Sequence, residues 1–401
     1  MNLHSGNPYW LIKNGFLFSY ESLKENASCD VVVIGGGITG AIVAHYLQKT
    51  GASIMVVDRR HIAMGSTAAT TALLQYEIDT SLMDLKKKVG KKNAIESYLL
   101  CVRAIAELKK IAAKLPLSNN FSFKKSVYVA STLADEKELE AEFAARKEIG
   151  IAIKKLNKEQ VKKLTGMDAP AALYSETGAE MDAVRFTHGI FQDLLSKGCN
   201  VYDQTEIKEI RESRTGITLT SSNGNIISCK KIIFANGYES LDYLKEKVAT
   251  LHSTYAIISK PLEKKQISSL KKMMIWETAR PYLYMRTTPD NRIIIGGKDE
   301  KFYSPKKRDE LLQQKAKALQ KAFSTRFPSI PFETDFSWTG TFAETKDGLP
   351  YIGISKEYKH AYFALGFGGN GIVFSQIAGE IIAELISTGK SKNAGLFAFH
   401  R

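Results

Sequence analysis

The chain is poor in cysteine and has no long apolar run. Of its 401 residues four are cysteine, Cys29, Cys101, Cys199 and Cys229. They lie far apart and form no C-x-x-C pair, so neither a zinc site nor a disulfide framework is expected, and a reducing, cytoplasmic compartment is the reading. The most apolar stretch, Val31 to Leu47, is interrupted by glycines, so no integral membrane segment is expected. The first 26 residues carry Glu21 and Glu25 and lack a basic segment followed by an apolar one, so no secretory signal is expected there. No internal repeat, low-complexity linker, Ser-His-Asp arrangement or histidine cluster occurs, and no metal site is expected. No basic stripe coincides with an aromatic platform, which argues against nucleic acid as a partner.

What is present is ordinary for a globular protein: 44% hydrophobic and 24% charged residues. The length exceeds what one hydrophobic core usually serves, so two domains are expected. The net charge of +14 comes from scattered lysine groups such as Lys86-Lys87-Lys88, Lys271-Lys272 and Lys306-Lys307-Arg308. These read as a solvated surface; attraction of an anionic substrate or partner is the alternative.

One stretch organises the rest. Val31 to Ile34 is a β-branched run that reads as a strand buried on both faces. It breaks into Gly35-x-Gly37-x-x-Gly40, and Ala41 to Gln48 reads as a helix. Strand, glycine turn and helix N-terminus in that order form the dinucleotide-binding pattern. Gly35 permits the turn, Gly37 lets the backbone approach a pyrophosphate, and Gly40 lets helix and strand pack closely. Free N–H groups at the helix start hold the phosphates. A second strand, Ser53 to Val57, ends in Asp58, placed to accept hydrogen bonds from a ribose.

Further on, Gly65 to Ala72 is a run of small and hydroxyl residues, and residues 82–115 read as helical. Helices are also expected at 135–149, 158–164, 187–197 and 309–323. Ile226 to Ser228 reads as half of a hairpin around Asn223-Gly224, and Lys231 to Phe234 as a separate buried strand ending in Ala235-Asn236-Gly237. Strands at 256–259, 282–287 and 292–296 suggest a second sheet. The chain then presents a second glycine turn, Gly366 to Gly371, between a strand at 361–365 and a helix at 372–386. A nicotinamide dinucleotide needs only one such turn. A flavin dinucleotide is longer, and the second helix start can face the pyrimidine edge of its ring.

With these pieces in place the chain resembles the D-amino-acid-oxidase superfamily of FAD-dependent oxidoreductases, which includes glycine oxidase and γ-glutamylputrescine oxidase-like enzymes. The matching segments are Asp30 to Gly40, Asp58, Gly65-Ser66-Thr67, Phe234 to Gly237, Trp338-x-Gly340, Thr345 to Gly353 and Leu365 to Ile372, in order along the chain. Pro8-Tyr9-Trp10 and the 65–72 loop look most like a branch that often carries a C-terminal Rieske module, which is expected to be absent because no cysteine follows Cys229.

The resemblance implies an α/β plus α+β protein. A Rossmann-like FAD domain takes residues 1–84, 180–247 and 335–401, interleaved with a sheet-based substrate domain at 85–179 and 248–334. It implies FAD contacts from Gly35, Gly37, Ile38, Thr39, Gly40, Asp58, Arg59, Ser66, Thr67, Ala72, Ile207, Ala235, Gly237, Gly340, Gly368, Gly369, Asn370, Gly371 and Ile372. Relatives mostly carry Thr or Ser at the position of Asn236. The FAD is expected to be non-covalent: no cysteine follows Cys229, no histidine lies between Gly65 and Asp79, and His61 precedes the loop.

The implied chemistry is hydride transfer from the carbon beside a neutral amine to flavin N5. Positioning carries it and no protein acid or base is obligatory. The expected partners are a small amine or amino acid and oxygen or another electron acceptor. A flavin dehydrogenase using a quinone or protein acceptor, and a non-catalytic flavin-binding protein, are the alternatives. Tyr282, Tyr284 and Arg286 alternate on one strand and either face the substrate or form a Tyr-Arg face in water. Lys298 reads as a surface lysine rather than a participant in oxygen chemistry. Where amino-acid oxidases of the family carry a carboxylate-binding arginine, this chain has Phe342. That disfavours a simple α-amino acid in the family's pose and leaves an amine without the α-carboxylate, or an acid met by Arg286 or Arg280.

Overall fold

The β-branched run at 31–34 has no polar position to expose, so it is stable only with both faces covered. In the computed structural model, which describes residues 1–401, it forms the buried half of the strand Ala27–Ile34. Ile54–Val57 pairs with it in parallel on one side and Ile226–Phe234 on the other. The eight-stranded sheet continues through Asn200–Tyr202 beyond the first, and through Ile217–Ser221 and Ile207–Glu212 beyond the second. Ala361–Leu365 pairs with Ile232 to Phe234, so the two strands that lead into glycine turns end at the same edge of the sheet.

Ile38–Gln48 packs against Ala183–Ser196 and against the final helix, Gly371–Thr388, which also meets Lys91–Ala112. A Cβ at Gly379 would lie 2.6 Å from the Tyr46 ring and 3.2 Å from Ile42, so the first and last of these helices cross at backbone distance. The final helix is long and apolar enough to cross a bilayer by length and composition. Here Ile372, Val373, Phe374, Ile377, Ile381 and Ile382 are buried in the main core, which accounts for its apolarity.

The second sheet has nine strands, in the order His4–Gly6, Thr334–Thr345, Ala249–Ser259, Ile293–Glu300, Tyr284–Thr287, Met273–Glu277, Lys125–Val129, Ala171–Ser175 and Ile153–Asn157. One face packs on Leu312–Arg326 through Leu319 and Phe323. From the other face Ala256, Ile258, Ile294 and Trp338 join the main core. A small three-stranded sheet of Leu73–Gln75, Gly178–Glu180 and Ser122–Phe123 accompanies them. The architecture is α/β plus α+β.

Several elements differ from expectation. Gly90, at φ 83°, divides the 82–115 stretch into Leu82–Val89 and Lys91–Ala112. Ile226–Phe234 is one strand rather than two, because Ile227, Cys229, Ile232 and Phe234 all join one core cluster while Ile233 joins the main core. The helix beginning near residue 309 is two, Pro305–Glu310 and Leu312–Arg326. The expected division of the chain gives residues 1–84 and 335–401 to the FAD domain. Thr334–Thr345 instead pairs along its length with Ala249–Ser259, and His4–Gly6 adds to it, so both strands belong to the nine-stranded sheet. The lead-in fastens onto the body: Trp10 Nε1 donates to the Thr70 carbonyl at 2.6 Å, and Trp338 Nε1 donates to the neighbouring Ala69 carbonyl at 2.8 Å.

Candidate active site

Both glycine turns open onto one cavity of about 420 Å³, and the nine-stranded sheet closes its far end. At the first turn, a Cβ on residue 40 would lie inside the contact distance of the Gly35 carbonyl oxygen, so only glycine allows the turn and helix to meet. Gly35, Gly37, Ile38 and Thr39 line the cavity. Gly40 does not; its role is the close packing. The Ile38 N–H is taken by the Thr67 hydroxyl at 2.9 Å, while the N–H groups of Gly37, Thr39 and Gly40 have no acceptor in the chain. Ser66 lines the same wall, and its buried hydroxyl oxygen has no partner.

Asp58 closes the next strand. Its Oδ2 accepts from the Gly36 N–H at 2.6 Å and its Oδ1 from the Arg60 N–H at 2.7 Å. Burial pushes the carboxyl above its ordinary value, and these two backbone N–H groups oppose the shift. Arg59 and Arg60 also line this end and both pair with Glu239. Ile207, Ala235, Asn236 and Gly237 complete it. Replacing Asp58 with Ala removes a half-buried carboxylate acceptor and is expected to weaken FAD binding by about 1.5–3 kcal/mol with the fold retained. Titration of the stripped protein with FAD checks this, and an unchanged dissociation constant would take Asp58 out of the site.

At the second turn Gly368, Gly369, Gly371 and Ile372 line the cavity. The Gly369 N–H donates to Asp79 Oδ2 at 2.7 Å, and the Tyr282 hydroxyl donates to Asp79 Oδ1 at 2.8 Å. The N–H groups of Gly371, Ile372 and Val373 have no acceptor, leaving the positive end of an 18-residue helix open. Two expected contacts turn away. Asn370 donates its amide to the Gln75 and Glu77 carbonyls, and Ala72, at φ 52°, is buried where the 65–72 loop enters the next strand.

Gly340, Tyr282, Tyr284 and Phe342 line the sheet end. Tyr282 lies two residues before the strand Tyr284–Thr287 rather than on it. Its ring stands 5.8 Å from that of Tyr284, and burial raises both phenols well above their ordinary value, so both hydroxyls stay neutral. Arg286 is placed away from the substrate end. It is 3% exposed and does not line the cavity. Its guanidinium donates to the Thr71 carbonyl at 2.7 Å, to Glu180 at 2.9 Å and to the Thr287 carbonyl at 3.0 Å. Arg280 is also outside the lining; it packs over the Tyr282 ring and donates to the Asp79 carbonyl at 3.2 Å.

Sequence reasoning missed two carboxylates here, Asp79 and Asp299. Asp79 had no motif to mark it. Asp299 is brought in by a bulge: Ser253 pairs with Glu300 and Tyr255 with Gly297, so Thr254 alone faces both Lys298 and Asp299. The extra residue shifts the alternation, and Asp299 lines the cavity in place of Lys298, which turns out of it at φ 58°.

A cavity with unpaired N–H groups at two helix starts, an orphaned Ser66 hydroxyl and a half-buried carboxylate beside the first turn is built for a molecule with phosphates in its middle and polar groups at both ends. It defines a flavin-dinucleotide protein. Residues 30–385 match the DAO family, described as FAD dependent oxidoreductase, and the chain belongs to that family. It is an FAD-dependent oxidoreductase. Among its relatives, a putative Rieske 2Fe-2S iron-sulfur protein of Bacillus subtilis is 23% identical over 97% of this chain and 74% of its own length. Gamma-glutamylputrescine oxidoreductase of Escherichia coli is 21% identical over 96% of this chain and 90% of its own. The crystal structure of glycine oxidase from Geobacillus kaustophilus has the same fold, with a TM-score of 0.76 at 18% identity, covering 91% of this chain and 96% of that one.

Proposed function

We propose that the protein oxidises the C–N bond of an amine that lacks an α-carboxylate, using FAD held without a covalent bond. Non-covalent attachment is supported by the lining, which contains no cysteine and no histidine. Gly35, Gly37, Ile38, Thr39, Asp58, Ser66 and Thr67 would hold the nucleotide half, and Gly368, Gly369, Gly371 and Ile372 with Gly340 the flavin half. Bound FAD supplies a two-electron acceptor of hydride. The chain supplies position and electrostatics. The unpaired N–H groups of Gly371 to Val373 favour negative charge on what lies against them. Tyr282, fixed by Asp79, together with Tyr284 and Phe342 forms a neutral aromatic wall that holds an alkylamine and excludes water.

The observation that carries this reading is the absence of a free cation among the residues that line the sheet end of the cavity; Arg280 lies outside the lining, with its guanidinium on the Ala279 and Asp79 carbonyls. Phe342 stands there, Arg286 is committed to Glu180, and the arginines in the lining, Arg59 and Arg60, are paired with Glu239 among the residues around Asp58. A carboxylate desolvated there without a partner would cost several kcal/mol. Anaerobic mixing with glycine, sarcosine, D-alanine and D-proline beside secondary amines and polyamine derivatives tests it. Flavin bleaching by the amines and not by the small amino acids is expected; the reverse pattern would overturn the reading.

A further inference from the structure

The lining of the cavity's sheet end is not merely without a cation; it carries a carboxylate, Asp299, that has no ion-pair partner in the chain. Asp299 Oδ1 is fully enclosed and has no hydrogen-bond partner. The side chain reaches the cavity only because of the bulge opposite Thr254, a local irregularity of the kind that re-aims side chains at sites. The charged groups around it do not pair with it. Lys315, from the helix behind the sheet, donates to Glu300 at 2.5 Å and to the Lys298 carbonyl at 3.0 Å. Asp79 lies across the Tyr282 hydroxyl and adds negative charge. Thr254 offers a hydroxyl, and Tyr282 and Tyr284 are neutral. Buried carboxylates are normally paired, and this one faces a cavity wide enough for a ligand to provide the partner.

We propose that Asp299, flanked by Thr254 and the Tyr282 and Tyr284 rings, is the binding site for a second, non-reacting ammonium group, so that the substrate is a diamine or polyamine derivative. This rests on the reading that an amine is oxidised in the same cavity. The carboxylate anchors one nitrogen as a charged ammonium, and the aromatic faces add cation–π attraction. The other nitrogen gives up its proton to solvent on binding, and the carbon beside it would lose a hydride to bound FAD, so that its C–N single bond becomes C=N. Burial and the neighbouring Asp79 raise the Asp299 carboxyl to about 6, so the anchor is charged above that pH and neutral below it, while an alkylammonium stays charged throughout.

The test uses the FAD-loaded full chain and three four-carbon probes: putrescine, n-butylamine and 4-aminobutyrate. Apparent affinity is read from the perturbation of the flavin spectrum or from saturation of anaerobic bleaching. At pH 8 putrescine should bind at least about tenfold more tightly than butylamine, the effect of one charge-assisted hydrogen bond, and 4-aminobutyrate most weakly. In Asp299→Asn the diamine advantage should fall to near onefold with FAD content unchanged. Lowering the wild-type protein to pH 5 should have the same effect, which decides the matter even if the variant does not fold. Equal binding of putrescine and butylamine at pH 8, or an advantage that survives both the substitution and the acid, would overturn the proposal while amine oxidation itself stands. Bleaching by small amino acids and by no amine would instead overturn the reading on which it rests.

Discussion

Gly40→Ala is expected to yield protein without FAD, or none that folds. The added Cβ would occupy the space of the Gly35 carbonyl oxygen, and the next contact is the carbonyl carbon of the same residue at 3.0 Å. The obstacle is backbone, so no rotamer relieves it. Helix Ile38–Gln48 must move away from the strand end, which carries the open N–H groups of Gly37 and Thr39 off the position where both turns address one ligand. Overpacking of this kind costs about 1–3 kcal/mol, and at the upper end FAD affinity falls about a hundredfold. Flavin absorbance of the purified variant and its FAD dissociation constant report the effect. An alanine variant that binds FAD as the wild type does would show that this turn is not the nucleotide cradle.

Arg286→Met is expected to destabilise the protein by about 3 kcal/mol, the lower end of what breaking a buried ion pair costs. Glu180 is 4% exposed and pairs with both Arg286, at 2.9 Å, and Lys124, at 3.0 Å. With Arg286 gone, Lys124 keeps part of the compensation, and the Thr71 carbonyl loses its donor. The 65–72 loop is then held by Trp10, Trp338 and the Ile38–Thr67 hydrogen bond. The urea midpoint of the holoprotein should fall, while the discrimination between amines and amino acids stays as it was. Unchanged stability together with a change in that discrimination would return Arg286 to the substrate pocket.

The nucleotide end of the cavity was legible in the sequence because backbone chemistry dominates there. A turn that needs glycine, a helix start that offers N–H groups and an acid after the next strand are fixed by spacing, and Gly35, Gly37 and Asp58 stand where spacing puts them. The sheet end was less legible because side chains are placed there by pairing between distant strands. Alternation along the chain puts Arg286 beside Tyr284 and favours Lys298 over Asp299. The guanidinium is instead captured by Glu180, more than a hundred residues earlier, and a single bulge exchanges Lys298 for Asp299. Asp79 belongs to no element and acquires its place from Gly369 and Tyr282, which the fold delivers from two different parts of the chain. The strand Thr334–Thr345 was legible only as Trp338-x-Gly340, since its threonines and glycine read equally well as loop.

The most direct measurement is the rate of anaerobic flavin bleaching by N-methylbutylamine and by both enantiomers of N-methylnorvaline, which differ from it only by an α-carboxylate. With Phe342 and Asp299 at the sheet end and no free cation among the lining residues, the amine should reduce the flavin at least about tenfold faster than either acid, because a desolvated, unpaired carboxylate costs several kcal/mol. Faster reduction by either N-methylnorvaline enantiomer would contradict the account.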